Sequence, residues 1–263
     1  MHPIDLKDNK RRAWESFSAG RLSLDSRPFR ASIEISRNCN FRCVMCPQSW
    51  SPEYQRRRPE FDMSPDLFRK IAAQIFPALE TAHLQGFGET VASPHWPEIL
   101  DLCAPHADRL RFSLVTNLSV PDEGMWRKMT DLGFTIDFSC DGADRETFER
   151  IRRGARFEAI LGNLEILRRA RAGRTGLGGF SFNVTLQRLN YRQMPLFVDF
   201  AARSGAGRVS FSSVRDDISP APRRLFASLS RLSARALVAA GRRYLRRRLS
   251  SGEDSLGFGL EGV

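Results

Sequence analysis

A chain of 263 residues, 41% of them hydrophobic, is long enough to bury a full core and form one α/β barrel or two smaller domains. No apolar run approaches the roughly 20 residues of a membrane span, and "MHPIDLKDNKRRAWESF" lacks the apolar centre of a signal peptide, so a cytoplasmic protein without membrane contact is expected. Five cysteines, odd in number and partly clustered, argue against a secreted disulfide framework and for reduced, metal-binding thiols. The net charge of +11 is local: residues 221–250 hold nine arginines and no acidic residue.

Residues 1–29 read as an N-terminal extension. From residue 30 to 215, apolar runs alternate with helical periods. Strands are predicted over 31–36, 82–87, 110–116, 135–140, 179–187 and 208–214. Between them, Ser64 followed by Pro65 reads as the cap of a helix carrying Leu67, Phe68, Ile71 and Ile75. Phe157, Ile160, Leu161, Leu164 and Leu167 mark another apolar face closed by Gly173. Asn190 with Gln193 resembles a capping box, and Gly205 ends that helix. Six βα units in succession imply parallel strands and right-handed crossovers, an α/β partial (β/α)6 barrel. Phe180, Phe182, Val184 and Leu186 alternate with Ser181, Asn183, Thr185 and Gln187, and similar faces put His83, Gln85, Ser210 and Ser212 on polar parity. Helices suit the apolar face, so the polar face must line the interior, and six strands should leave an open, TIM-like arc with a lateral mouth.

Cys39, Cys43 and Cys46 follow the first strand, where the working loops of α/β barrels lie. Three thiolates at this spacing are one short of a closed zinc site, which a distant His, Asp or Cys103 could complete. They also suit three corners of a [4Fe–4S] cluster whose fourth iron stays open to a ligand. Cys103, in a helix, and Cys140, on the apolar parity of its strand, read as core residues.

With this CxxxCxxC motif the sequence resembles the radical S-adenosylmethionine (SAM) superfamily, over about residues 30–215. Met45 stands where an aromatic residue commonly precedes the last cysteine. "GFGE", residues Gly86, Phe87, Gly88 and Glu89, resembles the glycine-rich motif whose carbonyls receive the SAM amino group. "VTN", with Thr116 and Asn117, ends the third strand, and "SCDGADRETFERIRRG" resembles the ribose-binding Ser139 and Asp141 followed by a carboxylate-binding Arg152. The resemblance implies a [4Fe–4S] cluster on the three cysteines, with SAM chelating the open iron. Gly86 and Gly88 would admit close backbone approach, and Ser139, Asp141 and Asn183 would reach the ribose. It further implies one-electron cleavage of SAM to a 5′-deoxyadenosyl radical that abstracts hydrogen from a peptide or small-molecule substrate. A flavodoxin or ferredoxin would donate the electron.

The motif details look most like the branch of peptide maturases and natural-product enzymes. Auxiliary clusters are not expected, because no cysteine follows Cys140. The loop from Pro47 to Asp62, carrying Trp50, Tyr54, Arg56, Arg57 and Arg58, reads as a lid over the substrate. Residues 216–263 form a third segment, basic and amphipathic before a glycine-rich tail. The alternative function, an RNA-modifying or partner-binding protein with a structural or regulatory cluster, rests on that segment. Its leucines suit docking on the barrel, and within its densest arginine run, residues 242–248, Tyr244 alone interleaves an aromatic for base stacking.

Overall fold

The computed structural model describes residues 5–52, 61–176 and 178–213. Helix α1 (Leu6–Ser18) precedes strand β1 (Arg30–Ile33), a two-residue strand β2 (Arg42–Cys43) and a single-turn helix α2 (Pro47–Trp50). Then follow α3 (Pro65–Ile75), β3 (Thr81–Leu84), α4 (Trp96–Cys103), β4 (Arg111–Thr116), α5 (Glu123–Asp131) and β5 (Thr135–Ser139). The described chain closes with α6 (Arg145–Ile151), β6 (Arg152–Arg153), α7 (Phe157–Arg171), β7 (Phe180–Leu186), α8 (Met194–Arg203) and β8 (Arg208–Ser213).

Six strands form one sheet in the order β1-β3-β4-β5-β7-β8, every pair parallel, with β1 and β8 as its two edges. The sheet is therefore an open arc, as the six βα units imply. Helix starts are set by side-chain caps: Ser64 accepts from the Leu67 N–H ahead of α3, Asp122 from Met125 ahead of α5, and Asp144 from Thr147 ahead of α6. Gly205, at φ +74, turns the chain out of α8 in the left-handed conformation that glycine adopts without strain.

The strand alternation sorts the two faces as expected. Phe112, Ile136, Phe138, Phe182 and Val184 are buried in the core, with Phe112 stacked on Phe134 at 5.2 Å and Phe138 edge-on to Phe182 at 5.0 Å. On the other parity the polar groups meet across the strands. His83 pairs in register with Ser113, its Nδ1 2.7 Å from the hydroxyl; Ser181 donates to Asp137; Ser139 stands beside Asn183. His83 is thus a satisfied interior histidine.

Two local expectations are corrected. Asn190 does not cap α8, which begins at Met194 after a 3-10 turn over Tyr191–Gln193. Its side chain instead donates to the carbonyls of Asp141 and Thr185 and accepts from the Gln187 N–H, while Gln193 accepts from the Ala143 N–H. Both residues fasten the loop after β7 to the loop after β5. The second correction concerns β1, which ends at Ile33 rather than 36; Glu34 to Arg37 leave the sheet to meet the loop after β3.

Candidate active site at the mouth of the arc

The cysteine loop begins beyond β1. Arg42 lays its guanidinium over it, donating to the carbonyls of Cys39 at 2.6 Å and Phe41 at 2.9 Å. β2 then pairs antiparallel with β6, setting Cys43 opposite Arg152, and Val44 N–H donates to Ile151. Cys46 opens α2, its N–H bonded back to the Cys43 carbonyl. These bonds fold the loop back, leaving Cys43 buried and Cys39 and Cys46 half-buried. Burial pushes the Cys39 thiol up and the Cys43 thiol up to about 12, the latter opposed by Arg152. Each of these two thiolates would also repel the other and Cys46.

Among the described residues, no group of three or more His, Cys, Asp and Glu side chains is gathered as a site for a metal ion. A closed zinc knuckle with Cys103 does not match the fold, since Cys103 lies fully buried in the core at the end of α4. A cubane takes its three thiolates on three different irons, so its ligands stand further apart than those of one ion. Buried thiols that resist ionisation also need a strongly positive partner to become ligands. The donor set therefore fits a cluster bound through Cys39, Cys43 and Cys46.

The "GFGE" loop lies directly against this loop. Gly88 N–H donates to Ser36 O at 3.0 Å and Glu89 N–H to Asn38 O at 2.8 Å. A Cβ on Gly88 would come within 2.4 Å of Asn38 O and 2.5 Å of Ser36 O, so this glycine is demanded by the contact between the two loops. At Gly86 the space is taken by the Glu34 side chain, whose Oε1 accepts from the Phe87 N–H. Close approach of a ligand, expected from the sequence, is thus not what first requires either glycine. Gln48 of α2 joins the same layer, donating to Arg37 O and to Phe87 O.

Glu89 turns inward and is buried. Its carboxylate accepts from Thr116 Oγ1 at 2.7 Å and from the Asn117 N–H at 2.6 Å, locking "VTN" to "GFGE". Burial raises its pKa to about 7, against the pull of those hydrogen bonds. Asn117 in turn donates to Asn40 within the cysteine loop, and Asn40 donates to Ser119. Leu118 sits between them at φ 59, a left-handed conformation unusual for leucine, with its carbonyl held by Asn163 of α7.

Asp141 and Arg152 are brought together rather than apart. Arg152 Nη2 lies 2.6 Å from Asp141 Oδ2, both groups buried, and Asp141 Oδ1 accepts from the Thr185 N–H at 2.7 Å. Arg152 Nη1 points at Cys43 Sγ, 3.9 Å away. Burial pushes the Asp141 carboxyl up, opposed by the guanidinium and the Thr185 N–H. Ser139 and Asn183 remain half-buried on the interior face, whereas Asp141, two residues past the end of β5 at Ser139, is fully buried against its arginine. The Nε of Arg152 is buried without a hydrogen-bond partner, leaving one donor for an incoming acceptor.

Sequence reasoning missed several residues of the same framework: Asn40, Gln48, Asn163 and Asn190 cross between loops that no local pattern connects. In the sequence Gln187 is one polar position of the fifth strand. In the structure Gln187 is fully buried just beyond β7, with both amide atoms unpartnered, an arrangement that calls for a bound polar group or water. Trp50 of α2 is half-buried with its indole Nε1 enclosed and unpartnered. Residues 53–60, with Tyr54, Arg56, Arg57 and Arg58, and the basic stretch 221–250 lie outside the described residues.

An open parallel arc that gathers a three-cysteine loop, a glycine loop and a buried arginine at the C-terminal ends of its strands defines an enzyme class built around a loop-bound centre. The chain belongs to the Radical SAM superfamily, whose family model matches residues 33–201. Its fold is similar to the crystal structure of Streptococcus suis SuiB bound to S-adenosylmethionine, with a TM-score of 0.64 and 15% identity over 97% of this chain and 55% of that one. It is also similar to native anSMEcpe with bound AdoMet, with a TM-score of 0.59 and 16% identity over 72% of this chain and 53% of that one. The chain thus spans about half the length of the structures it matches. SuiB has also been seen bound to the precursor peptide SuiA, and anSMEcpe to a Cp18Cys peptide. No curated protein sequence matches at a significant level. Among the described residues no helix is long and apolar enough to cross a membrane.

Proposed function

We propose that this enzyme holds a [4Fe–4S] cluster on Cys39, Cys43 and Cys46 and SAM beside it, and that it modifies a peptide by hydrogen abstraction. The observation that carries the reading is the convergence of the loops after β3, β4 and β5 on the cysteine loop: Gly88 and Glu89 bond to Ser36 and Asn38, Asn117 to Asn40, and the Asp141–Arg152 pair meets Cys43 across the β2/β6 ribbon. Bound together, cluster and SAM supply a one-electron cleavage whose carbon radical takes hydrogen from the substrate.

The chain's own residues bind, orient and shield. Arg152, fixed by Asp141, offers its free Nε to the SAM carboxylate and its Nη1 to the Cys43 sulfur. Glu89 holds the glycine loop and "VTN" in one position, so the carbonyls of Gly86, Phe87 and Gly88 keep a fixed distance from the cysteines. Ser139 and Asn183, half-buried on the interior face, are placed for the ribose hydroxyls, and Gln187 offers a buried amide with both ends open. The peptide substrate is supported by the peptide-bound structures of SuiB and anSMEcpe, which share this fold. Anaerobic reconstitution should give about four irons per chain. Reductant with SAM should then yield 5′-deoxyadenosine, and Cys43→Ala should abolish both. Stoichiometric zinc without iron uptake would refute the assignment.

A further inference from the structure

Asp137 is the one acidic residue in the six strands of the sheet. It alternates with Ile136 and Phe138, both fully buried in the core, so its side chain lies on the interior face together with Ser139. The interior of a closed α/β barrel is filled by branched apolar side chains. A carboxylate in that place loses its hydration as soon as the space is filled, and only a donor carried by the filling group offsets the loss.

In register, Asp137 stands beside Ser181 of β7, and Ser181 beside Arg208 of β8. Ser181 donates its hydroxyl to Asp137 Oδ1, and Arg208 Nη2 reaches the same oxygen at 3.5 Å. Oδ2 accepts no hydrogen bond among the described residues, and the side chain keeps 16% of its surface open. Arg208 is 66% exposed on an edge strand, so its long contact contributes little and is readily given up. An ion pair fastening β8 would account for a carboxylate at the rim. It does not account for one set on the interior face with an oxygen unclaimed.

The level of Asp137 in the arc fits a role toward the substrate. It lies two residues below Ser139 on the same face, about 7 Å nearer the N-terminal ends of the strands. One step further down, Thr135 stands beside Ser113 and Ser113 beside His83, whose Nδ1 meets the Ser113 hydroxyl at 2.7 Å. With the ribose at Ser139 and Asn183, hydrogen leaves the substrate near that level, and a side chain reaching down from there meets Asp137 first. We propose that Asp137 selects the peptide by charge, its Oδ2 receiving the ammonium or guanidinium group of a lysine or arginine side chain whose apolar stem lies in the arc. The selection rests on the hydrogen-abstraction reading above.

The test uses the full chain, reconstituted anaerobically with SAM, and pools of acetylated, amidated hexapeptides with one central position fixed as Lys, Arg, norleucine or Glu. The parent protein should bind the Lys or the Arg pool at least about tenfold more tightly than the norleucine pool, and the Glu pool most weakly. The Lys and Arg arms separate ammonium from guanidinium. Asp137→Asn should raise the Kd of the cationic pools to that of norleucine. Arg208→Gln, which removes the competing guanidinium, should sharpen the preference instead. A carboxylate that only fastened β8 would behave otherwise: the two variants would lose stability together and leave the Kd ratios where they were. That pattern, or a parent protein that does not favour the cationic pools, whether all bind alike or none binds, would overturn the proposal. Should Asp137→Asn fail to fold, the sharper preference of Arg208→Gln decides alone. A parent protein that takes up no iron or forms no 5′-deoxyadenosine would instead count against the cluster assignment, while the Kd ratios, which need no turnover, would still decide the charge preference.

Discussion

Helix α1 and the mouth of the arc are held by opposite means. α1 leaves Trp14 69% and Phe17 74% exposed, their rings tilted against each other with centroids 5.8 Å apart, and the residues it buries are the polar Asn9 and Ser16. Among the described residues, its polar side-chain ties to the rest are two hydrogen bonds between Asn9 and the Arg27 backbone and an ion pair between Lys10 and Glu80. At the mouth, Glu89, Thr116, Asn117, Asp141 and Arg152 are all buried, and each is bonded to a different loop. A buried polar group costs free energy wherever its partner is missing, so such a network admits one arrangement. A helix held by one asparagine and a surface ion pair carries no such restriction.

The sharpest way to break this contrast is to remove one member of the buried pair. Asp141→Ala would leave the Arg152 guanidinium enclosed without its counter-charge and should lower stability by about 3–5 kcal/mol. Thermal melts would show it, and a loss below about 1 kcal/mol would mean that water reaches the guanidinium and that the mouth is not a closed network. Gly88→Ala should follow, at roughly 3 kcal/mol, because the added carbon meets backbone oxygens that cannot swing aside. Gly86→Ala is its internal control, since there the obstacle is the Glu34 side chain, which can rotate at the expense of its bond to the Phe87 N–H. Equal losses at the two glycines would remove the distinction between backbone and side-chain obstruction.

Much of this was legible in the sequence, for reasons that particular residues make plain. The six strands announce themselves because a half-buried strand repeats every two residues, and Phe180 to Gln187 keep that period without a break. The cysteine spacing and the order of "GFGE", "VTN" and "SCDG" place their loops on successive strand ends. The β2/β6 ribbon could not be read, since two residues have no period to detect. Asn190 and Gln193 show the converse, a capping-box spacing occupied by residues whose side chains serve another loop. The Asp141–Arg152 pair was hidden for a third reason: parity places a side chain only while the strand lasts, and β5 ends at Ser139.

The contrast also has a pH signature. Glu89 has a folded pKa of about 7 against an ordinary 4.5, raised by burial. The fold therefore binds its proton more tightly than the unfolded chain does. Its contribution to stability is complete below pH 4.5 and is lost as pH rises through 7. The full span is worth roughly 3 kcal/mol. Glu89→Gln cannot lose a proton, so the variant should be the less stable protein in acid, with the gap narrowing as melts are taken from about pH 5 to about pH 8. Parallel pH profiles for the two proteins would assign the slope to other groups.

The smallest effect is expected where the molecule is least specified. Replacing both Trp14 and Phe17 with Ser removes two large rings that already mostly face solvent, so little buried area is lost and no cavity opens. The contact between the two rings is worth at most about 1 kcal/mol beyond area, and serine restores some of it by lowering exposed apolar surface. The change in stability should therefore stay within about 0.5 kcal/mol for each residue, as for surface substitutions elsewhere. Asn9→Ala, on the same helix, should cost more, since it leaves both the N–H and the carbonyl of Arg27 without their side-chain partner. If the aromatic pair proved more costly than Asn9, the rings would have to be covered in the working protein, and α1 would join the mouth as a region fixed by burial. If Asn9 dominates, one polar tie sets the helix in place and its aromatic face is free to vary without disturbing the site.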